Sequence, residues 1–143
     1  MQTFIQTNRQ PVQTHTLGVR VMLLSDQAEG STARRLADFG SVVDVADDLD
    51  EAVAVILEDP FGYDLFVMDC DGFGGVAGAE QAIAALIAGA AKMRVMLVSS
   101  EFEVPAYPLG RRTAVCLPDD VSDASFRIGF DHVLRDRAAL TMN

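Results

Sequence analysis

Positive charge is scarce in this chain. Its 143 residues carry 11 lysines and arginines against 21 acids, a formal net charge of −10, and the only lysine is Lys92. Nucleic-acid backbones are bound through cations that displace counterions, and anionic membranes through the same basic residues. The balance argues against both partners and is read as a solubility device. Cysteine is equally sparse. Cys70 and Cys116 match no zinc or redox spacing, so both are expected to be small core residues in a reducing compartment. The longest uninterrupted apolar run, from Ala82 to Ala91, falls well short of the ~20 residues that span a bilayer. The opening MQTFIQTNRQ lacks the basic-then-apolar pattern of a signal peptide. A cytoplasmic protein is the expectation. His15 and His132 have no cysteine or second histidine nearby, and no metal or catalytic role is assigned to them.

What is present describes one domain. Half of the residues are apolar and 22% are charged, a globular balance in a chain of single-domain length. Residues 1–18 are polar, include Pro11 and keep no period; they read as an N-terminal arm, or as an added edge strand. The regular domain is expected over 19–139, with 140–143 as a tail. Apolar runs of strand length occur at Val19–Leu24, Ser41–Ala46, Tyr63–Met68, Arg94–Val98 and Thr113–Leu117. Helical spacing occurs over Gly30–Phe39 and again after Asp48, where Asp48 and Glu51 form a capping box. A glycine-rich turn, Gly72 to Gly78, leads to a third, alanine-rich helix. Ser122 caps the last helix, with Phe126, Phe130, Val133 and Arg137 along one stripe. Continuous apolar strands alternating with helices predict an α/β fold, a parallel sheet covered on both faces. The alternation fails between Ser100 and Thr113, where EFEVPAYPLGRR is a poor helix and predicts a loop or one turn.

In an open parallel sheet, ligands gather at the carboxyl ends of the strands. Those ends read Ser25-Asp26, Asp69-Cys70-Asp71, Ser99-Ser100 and Leu117-Pro118-Asp119-Asp120. Turn residues alone put polar groups after strands. Acids and hydroxyls on several ends of one rim, however, suit Mg²⁺, a hard cation. A carboxylate there can also act as a nucleophile toward phosphorus.

These residues resemble the receiver domains of two-component response regulators, over roughly Val19 to Ala138. The resemblance implies a doubly wound five-stranded sheet in the order 2-1-3-4-5. It places the metal-holding acidic pair at Ser25 and Asp26, with Ser25 the weaker member. In YDLFVMD it places the candidate phosphoacceptor at Asp69, and a backbone carbonyl for the metal at Asp71. Ser99 takes the place of the hydroxyl that contacts the phosphoryl group. The departures are equally specific. The lysine expected before the proline after the fifth strand is Leu117, with only Arg111 or Arg112 as substitutes. The switching aromatic of that strand is Ala114, and the fourth helix is missing or degenerate. A fixed cation balances charge on a transferring phosphoryl group, so its loss implies a degenerate receiver or pseudo-receiver with weak Mg²⁺ binding. With nothing after the last helix, the expected output is contact with a protein partner, such as a histidine kinase or a downstream target.

Two other readings compete. Asp69-Cys70-Asp71-Gly72 resembles the DxDG motif of haloacid-dehalogenase-type phosphatases, with Asp69 as nucleophile and Asp71 as acid/base. Ser99 and Asp119-Asp120 would then serve as later motifs, although two strands precede the nucleophile. The other reading is a binding or dimerisation module without phosphoryl chemistry. There Ala84, Ala85, Ala88 and Ala91 on the outer side of the third helix admit a second copy, although alanine is also simply the best helix former. The acidic run of Asp44, Asp47, Asp48, Asp50 and Glu51 reads as a solvated edge.

Overall fold

The computed structural model describes residues 5–6, 18–59, 61–89, 93–107 and 114–141, with side chains from 18 to 134. The elements are β1 (Ile5–Gln6), β2 (Arg20–Leu24), α1 (Ser31–Asp38), β3 (Val42–Ala46), α2 (Leu49–Glu58), β4 (Leu65–Asp69), α3 (Gly75–Ala88), β5 (Arg94–Ser99), β6 (Val115–Pro118) and α4 (Asp123–Thr141).

Along β2, Val21 and Leu23 enter one core while Met22 and Leu24 enter another. That alternation explains the unbroken apolar run: a strand buried on both faces has no polar side to show. One core joins Leu36 of α1 to Phe126 and Phe130 of α4. The other joins Ala52 and Ile56 of α2 to Ala79, Ala82 and Leu86 of α3. The helices therefore pair as α1 with α4 on one face and α2 with α3 on the other. Burial of these side chains is the main force holding the three layers together.

The strand order is β1-β3-β2-β4-β5-β6. Strands β2 to β6 are all parallel, and in their own chain order they run 2-1-3-4-5. The order reverses between β2 and β4, so their carboxyl ends flank the switch point where such sheets bind ligands. The arm adds an edge strand, as one of its two readings had it: Ile5 and Gln6 pair antiparallel with Asp44 and Val43.

Local chemistry explains most element boundaries. Asp48 accepts a hydrogen bond from the Glu51 amide at 3.1 Å and opens α2, and Ser122 accepts one from Ser125 at 3.1 Å before α4. The glycine stretch is less of a turn than expected. A 3₁₀ turn covers Cys70–Phe73, Gly74 takes φ 90°, and α3 already begins at Gly75. Gly78 lies inside the helix, because a Cβ there would collide with the Phe73 carbonyl oxygen; the glycine reflects close packing. Tyr63 stands before β4 rather than in it. After β5, residues 100–107 form turns and bends with no helix among the described residues, and Ala106 makes an antiparallel bridge to Cys116 of β6. Thr113, Lys92, Arg111, Arg112, Ala91 and His15, and the Arg137 side chain, lie outside the described residues.

Candidate functional site

The loop after β2, the end of β4 and the loops after β5 and β6 meet at one rim. A cleft of about 440 Å³ opens there, lined by Asp26, Asp69, Asp71 and Asp119 together with Gln27, Gly30, Ser31, Thr32, Gly72 and Val98. Among the described residues none of its lining is basic.

Asp69 is the last residue of β4 and is half-buried. Thr32, in the first turn of α1, donates its hydroxyl to Asp69 Oδ1 at 2.8 Å. Burial lifts the Asp69 carboxyl above the usual aspartate value; the Ser25 and Thr32 hydroxyls draw it down, and the charges of Asp26 and Asp71 push it up. The raised value follows from desolvation of an acid whose charged neighbours are acids too.

Asp71 sits two residues on, in the 3₁₀ turn, and its side chain turns toward β5. Ser99 donates to its Oδ1 at 2.7 Å and the Ser100 amide to its Oδ2 at 3.0 Å. The Ser99 bond above all holds its carboxyl below the usual range, assisted by Ser100 against a smaller opposing effect of burial. Ser99 is fully buried, and its oxygen also accepts the Glu101 amide at 3.0 Å. Glu101 in turn accepts the Val76 amide at 2.8 Å, covering the exposed donors at the start of α3.

Of the residues expected at the site, Asp26, Asp69 and Asp71 line the cleft and Ser25 and Ser99 lie beside it. Ser25 is buried, with its oxygen accepting the Gln27 amide at 3.0 Å. Leu117 is buried in the core between the sheet and α4, and Ala114 is half-buried before β6 on the opposite face. Asp119 reaches the cleft; Asp120 is exposed and does not line it. Thr32 was not anticipated. Its only signal is its spacing, four residues before the inward-facing Leu36.

The donor set is one that Mg²⁺ can use. Asp26 and Asp69 bring carboxylates to the cleft, and Gly72 lets the 3₁₀ turn approach the loop after β2, since a Cβ there would lie 2.8 Å from Asp26 Oδ2. Mg²⁺ commonly uses one or two carboxylates with waters completing its shell, and the set fits that demand. No three His, Cys, Asp or Glu among the described residues converge as a ligand group. The cysteines are core residues: Cys70 is buried, Cys116 half-buried, and burial pushes the Cys70 thiol up to about 12. His132 lies beside Tyr107, with ring centres 5.9 Å apart. None of the described helices is long and apolar enough to cross a membrane.

No protein-family model matches the chain, and no curated protein matches it significantly. Solved structures do. The N-terminal domain of a response regulator/sensory box/GGDEF three-domain protein from Carboxydothermus hydrogenoformans superposes with a TM-score of 0.64 at 19% identity, over 85% of this chain and 98% of that one. The receiver domain of the histidine kinase CKI1 from Arabidopsis thaliana, solved with Mg²⁺ and BeF₃⁻, gives 0.51 at 15% identity, over 87% and 92%. A fusion carrying the trimeric coiled coil of yeast Spc42 gives 0.66 at 18% identity, over 85% and 80%. At these identities the likeness establishes the fold, and the fold is that of a receiver domain.

Proposed function

We propose that the chain is a receiver-like signalling domain of a cytoplasmic two-component pathway, with Asp69 as its phosphoacceptor. The observation that carries this reading is the placement of Asp69 at the end of β4, in an acidic cleft at the switch point of a receiver fold. The Asp69 carboxylate attacks phosphorus, an O–P bond forms, and the donor's bond to phosphorus breaks with its electron pair on the leaving group. Asp26, Asp69 and the Asp71 carbonyl are the residues to hold Mg²⁺, with Ser25 a weaker contributor; the cation would supply the positive charge that the described lining lacks. A histidine kinase is the natural donor and a protein target the natural reader, or a second copy of the chain.

The coupling is altered. The lysine position is Leu117, within the core, and the Ser99 hydroxyl is engaged by Asp71. These features support a second reading, a pseudo-receiver that binds its partner without phosphorylation. The phosphatase reading is weaker. A general acid needs a pKa near the working pH, and Asp71 is held low by Ser99.

Intact-mass spectrometry after incubation with acetyl phosphate and Mg²⁺ tests the proposal, with Asp69→Asn as control. A phosphoryl adduct confined to the wild type supports it. A folded wild type without an adduct favours the pseudo-receiver. Turnover of an aryl phosphate that Asp71→Ala abolishes would restore the phosphatase.

A further inference from the structure

Among the described residues, Asp69 is held by the hydroxyls of Ser25 and Thr32 rather than by a cation, and Thr32 presents its hydroxyl from a helix. Thr32 is 5% exposed and donates to Asp69 Oδ1 at 2.8 Å. A buried threonine in a helix often bonds back to its own preceding turn; this one reaches across 37 residues of sequence. The helix that presents it is itself anchored one turn later. Arg35 Nε donates to Asp123 Oδ1 at 2.8 Å and its Nη2 to the Val121 carbonyl at 2.9 Å, joining α1 to the start of α4 and the turn before it. The Arg35 guanidinium also lies 5.2 Å from the Phe126 ring centre. A side chain carried on a fixed element holds its partner more closely than one on a loop.

We infer that Thr32 is the positioning residue that α1 supplies to Asp69: by engaging Oδ1 it limits the rotation of the carboxylate and links the state of Asp69 to α1. The inference relies on the receiver reading for what Asp69 does. The link itself can be tested without phosphoryl chemistry.

Thermal unfolding of the wild type, Thr32→Val, Asp69→Ala and the double variant forms the test. Valine keeps the shape and removes the donor. Thr32→Val is expected to lower Tm by roughly 5 °C in the wild type, and by less than about 1 °C once Asp69 is alanine. Equal shifts in both backgrounds would overturn the link, since independent sites add. Adduct formation from acetyl phosphate is the second readout. It should slow about tenfold in Thr32→Val and stay near wild type in Thr32→Ser, which keeps the hydroxyl. An unchanged rate in Thr32→Val would overturn the positioning role. If the wild type forms no adduct, the receiver reading fails, and the unfolding cycle still decides whether Thr32 holds Asp69.

Discussion

Two acids of the sheet, Asp44 within β3 and Asp69 at the end of β4, meet opposite environments. Asp44 of β3 is 1% exposed. Arg20 Nη2 lies 3.0 Å from its Oδ2, and the Tyr63 hydroxyl donates to the same oxygen at 2.6 Å. The Arg20 guanidinium also sits 4.4 Å from the Tyr63 ring centre, a cation–π contact that binds the three side chains together. Asp69 has hydroxyl donors, two neighbouring acids and, among the described residues, no cation in its cleft. One acid is neutralised by the fold. The other keeps an unbalanced charge beside open space, the condition under which an added cation or a covalent group can change the molecule. The comparison separates an acid whose charge the fold balances from one whose charge it leaves unbalanced.

The largest effect should come from breaking the neutralised site. Arg20→Ala leaves Asp44 buried with only Tyr63 as donor, and Oδ1 has no hydrogen-bond partner among the described residues. Removing one member of a buried pair typically costs about 3–5 kcal/mol. Arg20 is 38% exposed, so screening reduces this to roughly 2–3 kcal/mol. Urea denaturation measures it. A loss below about 0.5 kcal/mol would mean that Asp44 is not held by charge, and the contrast with Asp69 would fail.

Removing the charge at Asp69 should act in the other direction. Its carboxyl is raised mainly by burial, so ionisation costs more in the folded chain than in the unfolded one. Asp69→Asn removes that cost and should stabilise the protein at neutral pH. The sign also fixes a pH dependence. The penalty is fully present above the folded pKa and is relieved as pH falls through that value toward the unfolded one, near 4. The deficit of the wild type against Asp69→Asn should therefore narrow as the medium is acidified from neutrality. A destabilised Asp69→Asn protein at pH 7 would place Asp69 with Asp44 among the structural acids.

Much of this fold was legible because burial on both faces writes itself as apolar runs such as VRVMLL and LFVMD. The rim was legible for a related reason: each run stops at a polar turn residue, so Asp26, Asp69 and Ser99 mark strand ends. What escaped depends on distances between segments. Thr32 looks like any polar residue in a short helix until α1 is laid across the end of β4. Tyr63 reads as strand, yet it stands before β4 with its hydroxyl bonded to Asp44. Asp44 itself sat in an acidic run read as a solvated edge, and Tyr63 and Arg20 instead close around a buried carboxylate. Asp71 was assigned by its backbone, while its side chain took Ser99 as partner. The start of α3 was placed late because glycine reads as turn, although at Gly78 it serves close packing.

Asp71 provides the smallest and most discriminating test, because it is an acid at the rim whose pKa moves opposite to that of Asp69. The Ser99 hydroxyl and the Ser100 amide hold its carboxyl low. A depressed carboxyl contributes stability above its unfolded pKa, near 4, and loses that contribution as pH falls through the folded value. The group is exposed, so screening keeps this contribution small. In Asp71→Asn this acid-sensitive increment should vanish while the opposite response of Asp69 persists, and unfolding midpoints followed from pH 7 to pH 3 would separate the two. Should Asp71→Asn and wild type lose stability in parallel below pH 4, the Ser99–Asp71 bond would carry no weight in solution. Ser99 would then be free to turn toward Asp69, the contact that the proposed function asks of it.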